Sequence, residues 1–193
     1  MRQPFVIVAL ACVALAGAGA VHAQEGQTDP ATMEQLLTKL MTPGEQHRQL
    51  ALMAGSWTTT VTSFTEGQQP TVSEGTFVSE PILGGRYMLG RYAGIMMGQA
   101  FEGLSIDGYD NGKQRYFSLW FDSMGTNYYL AHGSASADGK TFWHRGTMEL
   151  GPMEILSRSE TVLVDDDTVK FTMWQTMGGQ EIKAMEMVYK RVK

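Results

Sequence analysis

The chain has 193 residues, 20 Asp+Glu against 15 Lys+Arg for a formal charge of −5, 43% hydrophobic residues and a single cysteine. This length suits one domain with a core of its own. The acid excess, with no basic run anywhere, leaves neither phosphate neutralisation nor binding to an anionic membrane surface an electrostatic source, so no nucleic-acid partner is expected.

Residues 1–23 read MRQPFVIVALACVALAGAGAVHA, with Arg2 before an apolar run from Phe5 to Ala20 and a small-residue ending at Ala23. This is the pattern of a secretory signal peptide cleaved after Ala23, and it implies a periplasmic or secreted protein. The run is shorter than the ~20 residues a membrane helix needs. No later stretch is apolar enough to span, so no membrane span is expected after cleavage. Cleavage leaves 170 residues, brings the charge near −6 and removes Cys12, the only thiol. Thiolate catalysis and cysteine metal sites are thereby excluded from the mature protein.

Residues 24–42 form an N-terminal extension ahead of a domain over 43–193. Asp29 as N-cap, Pro30 in the first turn and a stripe of Met33, Leu36, Leu37, Leu40 and Met41 predict one short helix. Thr42-Pro43-Gly44-Glu45 reads as a capping box for a second, with His47, Leu50, Ala51 and Ala54 on one face and Gly55 as its stop. Both helices are expected to cover apolar surface.

From Trp57 onward, turn residues at TEGQQP, GIMMGQ, DNGK, ADGK, LGPM, DDD and MGGQ punctuate short runs. They predict about ten strands, near 56–64, 71–80, 85–93, 101–109, 115–123, 127–133, 141–148, 154–164, 168–176 and 181–190. Strands at this spacing imply a mainly β fold, a single antiparallel meander closed as a barrel or folded as a β-sandwich. Alternation in 115–123 puts Tyr116, Ser118, Trp120 and Asp122 on one face and Phe117, Leu119, Phe121 and Ser123 on the other. An aromatic-polar face suits a partly polar lumen; on the outside it would make an ordinary amphipathic strand.

Taken together, GSW at 55–57, SEPILGGRY at 79–87, FEGLSIDGYDN at 101–111, WFDSMGT at 120–126 and EMVYKR at 186–191 resemble the bacterial DUF1579 family, of unknown function, from about Pro43 to Arg191. A second resemblance is to lipocalin-like (calycin) barrels, which open their first strand with Gly-x-Trp and carry a late Arg packed on that Trp. Gly55-Ser56-Trp57 fits, and the resemblance implies that Arg191, or alternatively Arg158, closes one barrel end on Trp57, with a cation–π contribution of roughly 0.5 to 2 kcal/mol.

The reactive constellations thin out on inspection. Asp122 and Ser123 are adjacent, so in a strand they leave opposite faces and form no base–nucleophile pair. There is no G-x-S-x-G elbow. His47, His132 and His144 lack local metal spacing, although a hairpin centred at Asp138 would set His132 opposite His144, either as a two-histidine patch for a metal or haem iron or as an exposed aromatic pair. Met96-Met97, Met185 and Met187 are either Cu(I) thioethers or adaptable core filler. Glu80 and Arg86 flank the turn at PILGG, either as a hairpin clasp or with Arg86, Tyr87 and Trp120 holding an acidic head group. Glu102 is either a structural acceptor or part of the same site.

These readings converge on an exported protein binding a small apolar or amphipathic ligand in a barrel pocket. Its candidate residues are Glu80, Arg86, Tyr87, Glu102, Tyr116, Trp120 and Asp122, with no catalytic set and no defined cofactor. Two alternatives stay open: a carboxylate-dependent enzyme using Glu80, Glu102 or Asp122 as general base, and a cell-envelope interaction protein.

Overall fold

The computed structural model describes residues 29–193; the leader and its cleavage site lie outside the described residues. Ten antiparallel strands follow three short helical segments. These are α1 (Pro30–Met41), α2 (Glu45–Leu50), the single 3-10 turn Ala51–Met53, β1 (Gly55–Ser63), β2 (Thr71–Ile82), β3 (Tyr87–Met96), β4 (Gln99–Asp110), β5 (Arg115–Asp122), β6 (Tyr129–Ala135), β7 (Thr141–Leu150), β8 (Met153–Asp165), β9 (Thr168–Met177) and β10 (Gln180–Arg191). Each strand pairs with its sequence neighbours, and β10 pairs back onto β1 from Trp57↔Arg191 to Ser63↔Met185. The meander is therefore a closed barrel, and the sandwich is ruled out.

The strands run longer than their hairpin signals suggest. β2 continues through Pro81 to Ile82, because β1 stops pairing at Ser79 and leaves Pro81 no neighbour on that side to miss its N–H. β3 and β4 extend to a two-residue turn at Met97 (φ 51°) and Gly98 (φ 77°), whose paired positive φ values match the twist of the strands.

Antiparallel order defines two ends. At one, the β2–β3, β4–β5, β6–β7 and β8–β9 turns surround α2, which packs on β3 and β4. Leu50 joins Met88, Tyr116 and Phe142 in a cluster that plugs this end. The α2 start differs from the Thr42 capping box expected from the sequence. Gly44 is the N-cap, its N–H donates to His47 Nδ1 at 3.0 Å, and the Thr42 hydroxyl instead donates to Thr38 O at 2.7 Å.

α1 does not cover the barrel with its apolar stripe, contrary to expectation. Met33, Leu36, Leu37, Leu40 and Met41 are 39 to 67% exposed. What fixes the helix is its C-terminus: Asn111 Nδ2 reaches the carbonyls of Lys39, Leu40 and Thr42 at 3.0, 3.3 and 2.9 Å. These bonds satisfy carbonyls that a helix end leaves free, and they need none of the apolar side chains.

Candidate functional site

The register places Tyr116, Ser118, Trp120 and Asp122 on the lumen face. Trp120 pairs with Ser105 and Tyr129, and Trp57 on β1 and Tyr189 on β10 share the inward face. The lumen has two unlike halves. Against β1–β4, β9 and β10 it is filled: Trp57, Val61, Phe77, Tyr92, Phe101, Val169 and Met187 form one buried cluster. The walls of β5–β8 carry more small or polar side chains, among them Ser118, Ala131, Gly133, His144, Gly146, Ser157, Ser159 and Thr161.

Two titratable groups face the lumen from β4 and β7: Asp107, which the sequence reading did not single out, and His144, considered there only as a partner of His132. Asp107 accepts a hydrogen bond from Ser105 Oγ at 2.9 Å and another from Ser118, and desolvation pushes its carboxyl above the usual carboxylate range. His144 is pushed down to about 4, by burial first and by His132 second. Both are enclosed deeply enough for desolvation to dominate their titration, and both keep accessible surface. Tyr189 behaves in the same way, its phenol raised by burial and by the charge of Asp107.

Trp120 and Asp122 stand towards the far end. Trp120 Nε1 donates to Asp122 Oδ2 at 3.0 Å, and the Met124 N–H donates to Asp122 Oδ1 at 3.0 Å, so the carboxylate both orients the indole and shapes the turn after β5. The indole lies flat over Gly103 on β4, where a Cβ would overlap its ring, and stacks on Phe101 at 6.5 Å. Ser123 bonds outward, its Oγ accepting from the Glu102 N–H at 3.1 Å. Tyr116, near the plugged end, donates to Gln49 Oε1 at 2.5 Å; burial pushes its phenol up to about 12.

The remaining candidates lie elsewhere. Glu80 and Glu102 are exposed on the outer face, and Tyr87 packs there on Phe117 at 6.1 Å. The Glu80–Arg86 clasp does not form: Glu80 pairs with Arg91 at 3.7 Å, while Arg86 donates to Leu83 O and Met41 O at the plugged end. Arg86 thus sits outside the lumen and at the opposite end from Trp120.

His132 and His144 are not opposite each other. The β6–β7 loop closes on a Ser136–Thr141 backbone bond, so its axis falls between Asp138 and Gly139 instead of at Asp138; the pairing shifts by one position, and His132 pairs with Arg145 and His144 with Gly133. The two imidazoles leave opposite faces of the wall. Among the described residues no three His, Cys, Asp or Glu side chains gather as a metal site, and no helix is long and apolar enough to cross a membrane.

At the plugged end Arg191 Cζ lies 4.0 Å over the Trp57 ring, and Trp57 is 1% exposed. The guanidinium donates to Ala54 O, Leu52 O and Asp166 O at 2.6, 3.1 and 2.7 Å. Trp57 Nε1 donates to Met53 O at 3.1 Å. Arg158, the other candidate, lies over Trp174 on the outer face and pairs with Glu181.

No curated protein matches the chain in sequence. Among solved structures, Rv2717c from M. tuberculosis has a TM-score of 0.59 at 11% identity, covering 79% of this chain and 100% of that one. The S-type phycobiliprotein lyase CPES from Guillardia theta has a TM-score of 0.56 at 10% identity, covering 78% of this chain and 99% of that one. At such identities the likeness is one of fold. The family model described as "Protein of unknown function (DUF1579)" matches residues 42–191, and the chain belongs to that family.

Proposed function

We propose that this protein is exported and binds a small apolar or amphipathic molecule in the barrel lumen, where Asp107, His144 and Tyr189 face inward. The observation that carries the reading is that Asp107, His144 and Tyr189 lie deep in a closed wall and keep accessible surface. Trp120 and the phenol of Tyr129, which shares a 2.6 Å hydrogen bond with Ser157 Oγ, supply an aromatic wall with polar edges. A fold shared with a phycobiliprotein lyase is in keeping with this use of the barrel.

The test is native mass spectrometry of the purified protein, together with tryptophan fluorescence titrated with chain-matched amphiphiles. A co-purifying small molecule or a saturable fluorescence change is the expected result. No bound mass and an unmoved spectrum would sink the proposal. Export is tested separately by sequencing the N-terminus of the cell-envelope and culture-medium fractions, where a start at Gln24 is expected; a full-length chain confined to the cytosol would refute it.

One observation favours a second reading. A buried carboxyl whose pKa is raised, as for Asp107, is equipped to act as a general acid on a lumen ligand. Turnover of the identified ligand that Asp107→Asn abolishes, with binding retained, would select this reading over simple binding.

A further inference from the structure

Among the described residues, the charge facing the lumen at pH 7 is one-sided, since burial keeps His144 neutral there. The carboxyls of Asp107 and Asp122 face inward from β4 and β5. The inward-facing guanidinium of Arg191 is engaged with three backbone carbonyls and the Trp57 ring at the plugged end. Arg86 lies outside. Asp122 has each oxygen bound, one by Trp120 and one by Met124. Asp107 has two hydroxyls, Ser105 and Ser118, and among the described residues no cation.

A second observation comes from another strand. Thr59 is 2% exposed, faces the lumen beside Tyr189 in the β1–β10 register, and its Oγ1 has no hydrogen-bond partner. Buried hydroxyls are ordinarily paired. Tyr189, next to it, is the residue whose phenol feels the charge of Asp107 and the neighbouring Tyr92. An uncompensated carboxyl, an unpartnered hydroxyl and aromatic rings thus surround one stretch of the lumen.

We infer, resting on the lumen-binding reading above, that the ligand is an organic cation, the protonated amine of a small amphiphile, with the Asp107 carboxylate as its counter-ion. An ammonium group supplies the donors that Asp107 and Thr59 can accept, and tyrosine faces favour a cation in a desolvated site. An acidic head group would meet two carboxyls and no available cation, which opposes its binding. This reverses the head-group chemistry expected had Arg86 pointed into the barrel.

The experiment titrates the mature protein at pH 7 with octylamine, octanol and octanoate, below their micellar concentrations, and follows tryptophan fluorescence. The expected ranking is amine tightest, alcohol about tenfold or more weaker, and acid weakest, as a desolvated charge pair requires. Asp107→Asn should remove the preference for amine over alcohol and leave octanol affinity within about twofold. Thr59→Val should weaken the amine severalfold, which keeps the site testable if the first variant folds poorly. Octanoate binding as tightly as octylamine, or an Asp107→Asn protein that keeps the amine preference, would overturn the inference and leave lumen binding standing. Failure of all three amphiphiles to bind would remove the lumen reading as well.

Discussion

Replacing Arg191 with Met should open the plugged end of the barrel. Met keeps much of the apolar stem that packs on Trp57 and deletes the guanidinium. The loss includes the cation–π contact at 4.0 Å and donors to Ala54, Leu52 and Asp166 at 2.6, 3.1 and 2.7 Å. A charged donor to a carbonyl contributes about 1.5–3 kcal/mol and the ring contact about 0.5–2, but these bonds share one group and add incompletely. With the side chain 27% exposed, solvent screens part of the charge. The expected loss is about 3 kcal/mol, which lowers the Tm by roughly 6–12 °C for a domain of this size. Arg191→Lys should recover little of it, since one ammonium cannot span three carbonyls and cover the indole. Urea unfolding followed by fluorescence and by far-UV circular dichroism, with coincident transitions, measures the change. A loss under about 1 kcal/mol for Met, or a Lys variant as stable as wild type, would refute the clamp.

Asp107→Asn should stabilise the unliganded protein at pH 7. A folded-state pKa raised above the unfolded value means that ionisation opposes folding, so stability falls as pH rises from 3.8 through the raised value. The gain in urea midpoint should vanish below that range, and a less stable variant at pH 7 would contradict the burial argument. His144 has the opposite profile. Its folded pKa is down to about 4 against 6.5, so stability is complete above about pH 6.5 and falls as pH drops towards 4, by at most about 3 kcal/mol. His144→Gln should flatten that limb of the pH–stability curve. Gly103→Ala should displace the indole of Trp120, breaking its bond to Asp122; a shifted emission maximum and weaker amphiphile binding are expected, and an unchanged spectrum would count against the packing. Gly55→Ala should destabilise more than a surface glycine does, because Gly55 has φ 129° and a Cβ there would lie 2.6 Å from Arg191 Nη1.

The ten strands were legible because each hairpin is written locally, in Gly, Asp and Asn that accept positive φ or bond their own backbone. The lumen face of β5 was legible because alternation sorts side chains whatever the wall encloses. Asp107 was missed for a specific reason. Around Asp107 the inward face of β4 carries Gly103 and Ser105, while its outward neighbours are Leu104 and Ile106, so there the interior reads as the more polar side. The outward row Leu89, Ile106, Leu119 and Leu130, in register across β3–β6, repeats that inversion. The two histidines were misplaced by one residue because a loop's centre cannot be fixed from composition, and in a sheet one residue exchanges the faces. The stripe on α1 was a sound helix signal that said nothing about whether anything covers it.

The seam between β1 and β10 ties together residues such as Thr58 and Lys190, 132 positions apart. Every other pairing in the barrel joins consecutive strands, so nine hairpins can form with short loops while closure waits for the last strand. Until then β1 and β9 are free edges, able to pair with other chains. Arg191, the final residue of β10, therefore marks the moment the molecule ceases to be an open sheet. A chain shortened by a few residues at its C-terminus would lose the latch and keep the adhesive edges, which makes aggregation during synthesis, more than loss of binding, the expected fate of truncated forms.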